Sequence, residues 1–341
     1  MPELPEVETV RDGLERHIVH TTIAEARVYR DYSVRRHLGG PADFEDQLRG
    51  LKISYVARRG KFLWIGYLGV DEVLVGHLGM SGQLLIKERL QDLETGELVD
   101  PELGKHCRVR LHLASDDHTE PNLVLDFVDQ RTFGYLALST VQPTPDLLPG
   151  GLGTALPLVP ELLGHIARDL LDPVLVEGSI ERAVLNTKIR TKSGAIKKVL
   201  LDQEIVSGVG NIYADEALWR AQIHGERAAN QLTRAQIEVL LESAHAVMTE
   251  ALRQGGTSFD ALYVNVNGES GHLIIDVERV EGSCTFERRD WRCRTVARRQ
   301  RVVSRSDQSR HSLTKRLDSP TCSVAHRRSP GSRSLRGASH A

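Results

Sequence analysis

The sequence predicts an α+β multidomain chain: an N-terminal β-sandwich with flanking helices, then a helical domain. Three observations predict it. Between residues 21 and 139 the chain is a succession of short alternating or β-branched runs cut by Gly, Asp and Asn. Residues 141–160, VQPTPDLLPGGLGTALPLVP, are dense in Pro and Gly and read as a linker. From residue 161 onward the apolar positions fall at helical spacing instead. A chain of 341 residues, 40% of them hydrophobic, has material for two or three domains with real cores. The expected boundaries are 1–140 for the sandwich, 141–160 for the linker, 161–271 for the helical domain with a following loop, and 272–341 for a basic tail.

Taken in order, residues 3–18 place Leu4, Val7, Val10, Leu14 and Ile18 on one helical face, with Glu6 and Glu8 near the start and Gly13 as a mild weakness. The strand candidates are TTIAEARVYR, LKISYVARRG, KFLWIGYLG, EVLVGHLGM, GQLLIKE, CRVRLHLA, NLVLDFVD and FGYLALS. Between the first two, residues 43–50 read as a short helix. Helices are expected at 161–170, 179–188, 193–203, 211–222 and 233–254, with starts such as Ser179, Asn211 and Thr233. Residues 255–270 return to loop and strand signals. Beyond Gly271 the chain is rich in Arg and Ser, has only Phe286 and Trp291 as aromatics, and reads as mostly disordered.

The formal net charge of -2 hides an asymmetry. Residues 272–341 carry 16 Arg/Lys against 7 Asp/Glu, leaving 28 against 39 for the rest, so a nucleic-acid face in the body must be a local basic patch. Cys107, Cys284, Cys293 and Cys322 form neither a disulfide framework nor a metal cluster by spacing, which fits a reduced cytoplasmic setting. No apolar run approaches the ~18 residues of a membrane helix, and the N-terminus lacks a basic-then-apolar signal pattern.

Chemistry concentrates at a few places. Met1-Pro2-Glu3-Leu4-Pro5-Glu6-Val7-Glu8 puts Pro2 directly after the initiator Met, and removal of that Met exposes a secondary amine. Such an amine has an ordinary pKa of about 7.7 to 8.0 and is nucleophilic near neutral pH, with Glu3 beside it for acid and base work. Lys61 follows Arg58-Arg59-Gly60 in a turn between two predicted strands. His77-Leu78-Gly79-Met80-Ser81-Gly82 sets a flexible apolar side chain among glycines, and Asp129-Gln130-Arg131-Thr132-Phe133-Gly134 offers an aromatic beside a cation, both suited to wedging a duplex. In KKVLLDQEIVSGVGNIYADE, residues 197–216, Asp202 and Gln203 end one helix, Gly208 and Gly210 make a tight double turn, and Asn211 opens the next helix at a natural phosphate site.

These motifs, in this order, resemble the formamidopyrimidine-DNA glycosylase family over residues 1 to about 271, and the 197–216 segment is similar to its helix-two-turn-helix motif. The resemblance implies a DNA glycosylase with abasic-site lyase activity that flips a damaged nucleotide and attacks its sugar with Pro2. The base is lost, a Schiff base forms and the strand is cut by β,δ-elimination. It further implies that Glu3 moves protons, that Glu6 holds the active-site network, and that Lys61 contacts phosphate and supports the leaving groups. By the same resemblance Met80, Arg131 and Phe133 fill the space of the everted nucleotide, Asn211 binds a flanking phosphate, and Lys197 and His77 lie at the DNA. The loop at about 255–270 would recognise the flipped base. Expected substrates are oxidised purines such as 8-oxoguanine and formamidopyrimidines in double-stranded DNA, handled by a monomer in the bacterial cytoplasm, nucleoid-associated, with no membrane partner and no redox cofactor.

One family element is missing. The family's zinc finger has the pattern Cys-x2-Cys, about sixteen residues, Cys-x2-Cys. Here eight residues separate Cys284 from Cys293 and twenty-eight separate Cys293 from Cys322, and adding His326 does not restore a zinc spacing. The tail has the composition of an out-of-frame reading of a GC-rich coding sequence, which sequencing the locus tests. Three alternatives follow. The chain binds DNA with impaired or no catalysis because the finger is lost, or it is an endonuclease VIII-like glycosylase for oxidised pyrimidines, a branch that usually begins Pro-Glu-Gly, or the basic tail supplies nonspecific DNA contacts in place of the finger.

Overall fold

Helix α1 (Leu4–Ile18) begins at Glu3, carries Pro5 in its first turn, where a missing N–H costs nothing, and turns most of its length inward. A computed structural model describes residues 2–115, 120–254 and Val266, all within one unit spanning Met1–Ser304. Leu4 packs in the core of the helical half, whereas Val7, Val10, Leu14 and Ile18 pack in the core of the sandwich. One helix thus straddles two cores.

In chain order the strands are β1 (Thr22–Val28), β2 (Ile53–Arg59), β3 (Phe62–Tyr67), β4 (Glu72–His77), β5 (Gly82–Glu88), β6 (Leu90–Gln91), β7 (Leu98–Val99), β8 (Cys107–Ala114), β9 (Leu123–Asp129), β10 (Tyr135–Pro143) and β11 (Leu158–Pro160). They form two antiparallel sheets, β1-β8-β9-β5 and β11-β10-β4-β3-β2, plus the small β6-β7 hairpin. Inward-facing Leu63, Ile65, Leu74 and Leu136 of one sheet meet Leu84, Val109, Leu111, Leu125 and Phe127 of the other, as the period-2 alternation requires. Helix α2 (Gly40–Leu48) covers β1 through Phe44 and Leu48, and it starts three residues earlier than expected because Pro41 supplies its first turn.

The interval 141–160 is part of the sheet at both ends: β10 runs to Pro143 and β11 pairs back onto it. The helical half comprises α3 (Ile180–Arg190), α4 (Ile196–Leu201), α5 (Asn211–Ala221) and α6 (Arg234–Arg253). Ser179 caps α3 through a 3.1 Å bond from Arg182 N–H, and Thr233 with Gln236 makes a reciprocal capping box on α6.

Two helix expectations are corrected. Residues 161–170 make only a 3-10 turn at Glu161–Leu163. Leu163 and Ile166 pack on the outer face of the second sheet, and the backbone beyond them pairs outward, Ala167 N–H to Gln203 and Arg168 C=O from Ser207. A helix would withdraw those groups. The helix expected at 193–203 shrinks to α4 because Ile196 and Lys197 donate their N–H groups to Arg227 and Gly225.

Candidate active site and nucleic-acid interface

The first turn of α1 and the start of α5 are built as one object. Pro2 is buried, and Glu3, only 4% exposed, extends its carboxylate to the neighbouring helix. It accepts from the backbone N–H groups of Gly210 (2.8 Å), Ile212 (3.1 Å) and Tyr213 (3.4 Å), the unsatisfied donors at the N-terminus of α5. Gly210 is required for this approach, since a Cβ there would lie 2.2 Å from the Glu3 carboxyl carbon. Glu6 accepts from the Glu3 N–H (3.0 Å) and from the Tyr213 hydroxyl (2.9 Å). Leu4 N–H donates to Gly208 C=O at 3.1 Å, and Gly208, at φ +89, would place a Cβ 2.5 Å from Leu4 Cδ1. Gln203 holds the double turn open at the right width, accepting from Gly208 N–H and donating to the carbonyls of Leu201 and Val209.

Burial pushes the Glu3 carboxyl above its ordinary 4.5, while the Lys61 cation and the N–H groups of Ile212 and Tyr213 hold that rise back. Burial likewise pulls the Lys61 ammonium below its ordinary 10.5, against the attraction of Glu3 and Glu6. Burial, reinforced by Glu6, keeps the Tyr213 phenol protonated well above 10. Lys61 rises from the β2–β3 turn, where Gly60 adopts φ +59 and a Cβ would strike Ser207. Behind that turn lies a buried ionic chain that no spacing in the sequence signals. Arg58, 0% exposed, bonds Glu8 of α1 at 2.6 Å and Asp169 at 2.7 Å, and Asp169 also accepts the Gly60 N–H at 2.8 Å.

The second group lies at one end of the sandwich. Met80 (37% exposed) and Phe133 (55%) project from loops that touch back to back: Gly79, at φ +62, would place a Cβ 2.4 Å from Gly134 N. Arg131 is exposed beside them. His77, at the end of β4, lies between the rings of Phe62 (4.7 Å) and Tyr135 (5.6 Å) and so links this group to the strand that begins after Lys61. Burial and the nearby cations Lys61, Arg36 and Arg35 push its imidazole down to about 4. Arg35 bonds the carbonyls of Gly134 (2.8 Å) and Phe133 (3.0 Å) and was not singled out from sequence.

Asn211 is exposed as the first residue of α5, beside the Glu3 anchorage. Lys197, on α4, has its ammonium 2.7 Å from Asp215, so a phosphate there must compete with a carboxylate. The expected recognition loop at 255–270 lies outside the described residues apart from Val266, whose C=O accepts from Ile86 N–H at 2.9 Å and whose side chain closes on Gly13. Cys284, Cys293, Cys322 and His326, with the whole tail, also lie outside them. Among the described residues no cluster of three or more His, Cys, Asp or Glu could hold a metal, and no helix is long and apolar enough to cross a membrane.

The chain matches two family descriptions in register with this geometry: the formamidopyrimidine-DNA glycosylase N-terminal domain over residues 1–136 and the H2TH domain over residues 171–261. It is 46% identical over 333 residues to a formamidopyrimidine-DNA glycosylase of Rhodococcus opacus, covering 97% of this chain and 99% of the relative. With that of Mycobacterium avium it shares 46% over 309 residues, 90% and 95% of the two chains. Among solved structures, Lactococcus lactis Fpg bound to abasic-site DNA superposes with a TM-score of 0.59 at 28% identity, and a mutant of it bound to Fapy-dG DNA with 0.60 at 28%. Each superposition covers 79% of this chain and 84% of the other. The chain belongs to the formamidopyrimidine-DNA glycosylase family.

Proposed function

We propose that this chain excises oxidised purines, 8-oxoguanine and formamidopyrimidines, from duplex DNA and then opens the strand, with Pro2 as nucleophile and Glu3 as proton donor. Family membership makes it a DNA glycosylase of base excision repair. The purine range is supported by the Pro-Glu-Leu start and by the Fapy-dG duplex held by the Lactococcus relative. The single observation that carries the mechanism is the Glu3 carboxylate, buried next to Pro2 and held by the N-terminus of α5.

With Met1 removed, the Pro2 amine attacks the sugar C1′; the N–C1′ bond forms as the glycosidic bond breaks and the base leaves with a proton. Glu3, its carboxyl raised by burial, protonates the ring oxygen, and the ring opens to a Schiff base. Successive β- and δ-eliminations then release the two phosphate ends. Lys61 supports the phosphate charge, Glu6 fixes the Glu3 backbone and Tyr213, and Asn211 takes the flanking phosphate at the α5 N-terminus. Met80, Arg131 and Phe133 occupy the gap left by the everted nucleotide, with His77 as a neutral partner beneath them. The protein works as a monomer, and the tail adds at most nonspecific contacts.

Borohydride trapping on abasic-site DNA tests this. Native protein gives a covalent adduct, Pro2→Gly gives none, and Glu3→Gln slows base excision by about 10²- to 10⁴-fold. Retained duplex affinity with no adduct from the native protein would instead mark a DNA binder without catalysis. Faster release of an oxidised pyrimidine than of 8-oxoguanine would mark the endonuclease VIII-like alternative.

A further inference from the structure

We propose that Asp129 is the positioning residue that makes Met80, Arg131 and Phe133 a single rigid unit; this rests on the reading above that those three side chains enter the duplex. Asp129 is the last residue of β9 and is 0% exposed. Its Oδ1 accepts from the Ser81 hydroxyl at 2.5 Å and the Arg131 N–H at 3.1 Å, and its Oδ2 accepts from the Gly134 N–H at 2.8 Å. Ser81, itself 3% exposed, also accepts from Arg131 N–H at 3.0 Å. One carboxylate therefore gathers donors from the loop carrying Met80 and the loop carrying Arg131 and Phe133.

Burying a carboxylate is costly, and among the described residues its donors are all neutral, so an ion pair does not offset the cost. What the carboxylate supplies is acceptor capacity. Three donors converge on two oxygens, more than an amide or a hydroxyl could take without turning a donor of its own inward. The loops require such a hold. Thr132 sits at φ 57, a left-handed conformation unfavourable for a β-branched residue, and Gly79 meets Gly134 at backbone contact. Arg35 grips the same loop from outside through the carbonyls of Phe133 and Gly134, so its N–H groups are held from within and its C=O groups from without.

A rigid wedge matters only where a partner strand must be displaced. A single-stranded abasic site reaches the nucleophile without one. In Asp129→Asn the shape is kept, but one acceptor oxygen becomes an NH2 group facing a donor. We expect 8-oxoguanine excision from duplex to fall roughly tenfold or more, while borohydride trapping on single-stranded abasic DNA changes by less than about twofold. Ser81→Ala shifts the same ratio in the same direction by less. An equal fall on both substrates would make Asp129 a general fold support and overturn the proposal. So would unchanged duplex excision in Asp129→Asn and Ser81→Ala when Phe133→Ala has lost it. If Met80→Ala and Phe133→Ala leave duplex excision intact, the wedge reading itself fails and the proposal falls with it. Should Asp129→Asn not accumulate as folded protein, Ser81→Ala decides alone by the same ratio.

Discussion

His77 shows how a residue's type can be read while its state cannot. A histidine proposed to lie at a DNA interface invites a cationic role, but burial between Phe62 and Tyr135 and the cations Lys61, Arg36 and Arg35 all disfavour the imidazolium. Its imidazole, pushed down to about 4, is neutral through the range in which repair operates. An NMR titration of the ring carbons should show no midpoint between about pH 5.5 and 8. The linkage sign follows: a pKa lower in the folded than in the unfolded chain gives stability that is present above the unfolded value and lost as pH falls through about 4. Denaturant midpoints should therefore drop on acidification, and less so in His77→Phe. The same limit governed the other residues. Pro2 and Glu3 can be nominated from sequence because a terminal secondary amine beside a carboxyl suggests its own chemistry, and Lys61 because a family motif singles it out. Asp129, Arg35 and Arg58 carry no such signal: Arg58 and Asp169 stand 111 positions apart, Arg35 and Gly134 99, and Asp129 ties its near neighbours Arg131 and Gly134 to Ser81, 48 positions away.

At the scale of elements, the junction of α1 with α5 carries the clearest test. Helix periodicity located both helices to within a residue or two, and Gly208 and Gly210 marked the double turn. No pattern in a single sequence says that the free N–H groups of α5 are reserved for a side chain on α1. Gly210 has an unremarkable negative φ of -120, so alanine is compatible with its backbone, yet the added Cβ would collide with the Glu3 carboxyl carbon. Gly210→Ala should therefore keep its circular-dichroism melting profile within a few degrees, a shift of about 1 kcal/mol, and lose most of its trapped adduct. Loss of the fold together with the adduct would argue against that placement. The two failed helix expectations share a cause: at 161–170 and at 193–195 the backbone serves neighbouring chain segments, and periodicity alone does not see that demand.

At the scale of the whole described unit, the sandwich and the helical half are joined by charge as well as by packing. Arg58→Met would leave Asp169 buried without its cation and Glu8 with Arg11 as its remaining partner, and unfolding in urea should show a loss of about 3–5 kcal/mol. Arg58→Lys should restore only part of it, because the shorter side chain ends in a point charge and lacks the planar guanidinium that reaches Glu8 through Nε and Asp169 through Nη1 at once. A wild-type-like midpoint in Arg58→Met would mean that the bridge is not holding the halves together. The straddling of α1 has a further consequence, in the order of biosynthesis. Glu3 finds its anchor 207 positions downstream, and Leu4 shares a core with residues up to Ala251. As the ribosome releases the chain, the sandwich can collapse long before those partners emerge. The amine made first is therefore set last, and a nascent or truncated chain ending before α5 should form no borohydride adduct. On the proposed role of Pro2, reactivity toward sugar aldehydes would arrive only with the apparatus that selects them.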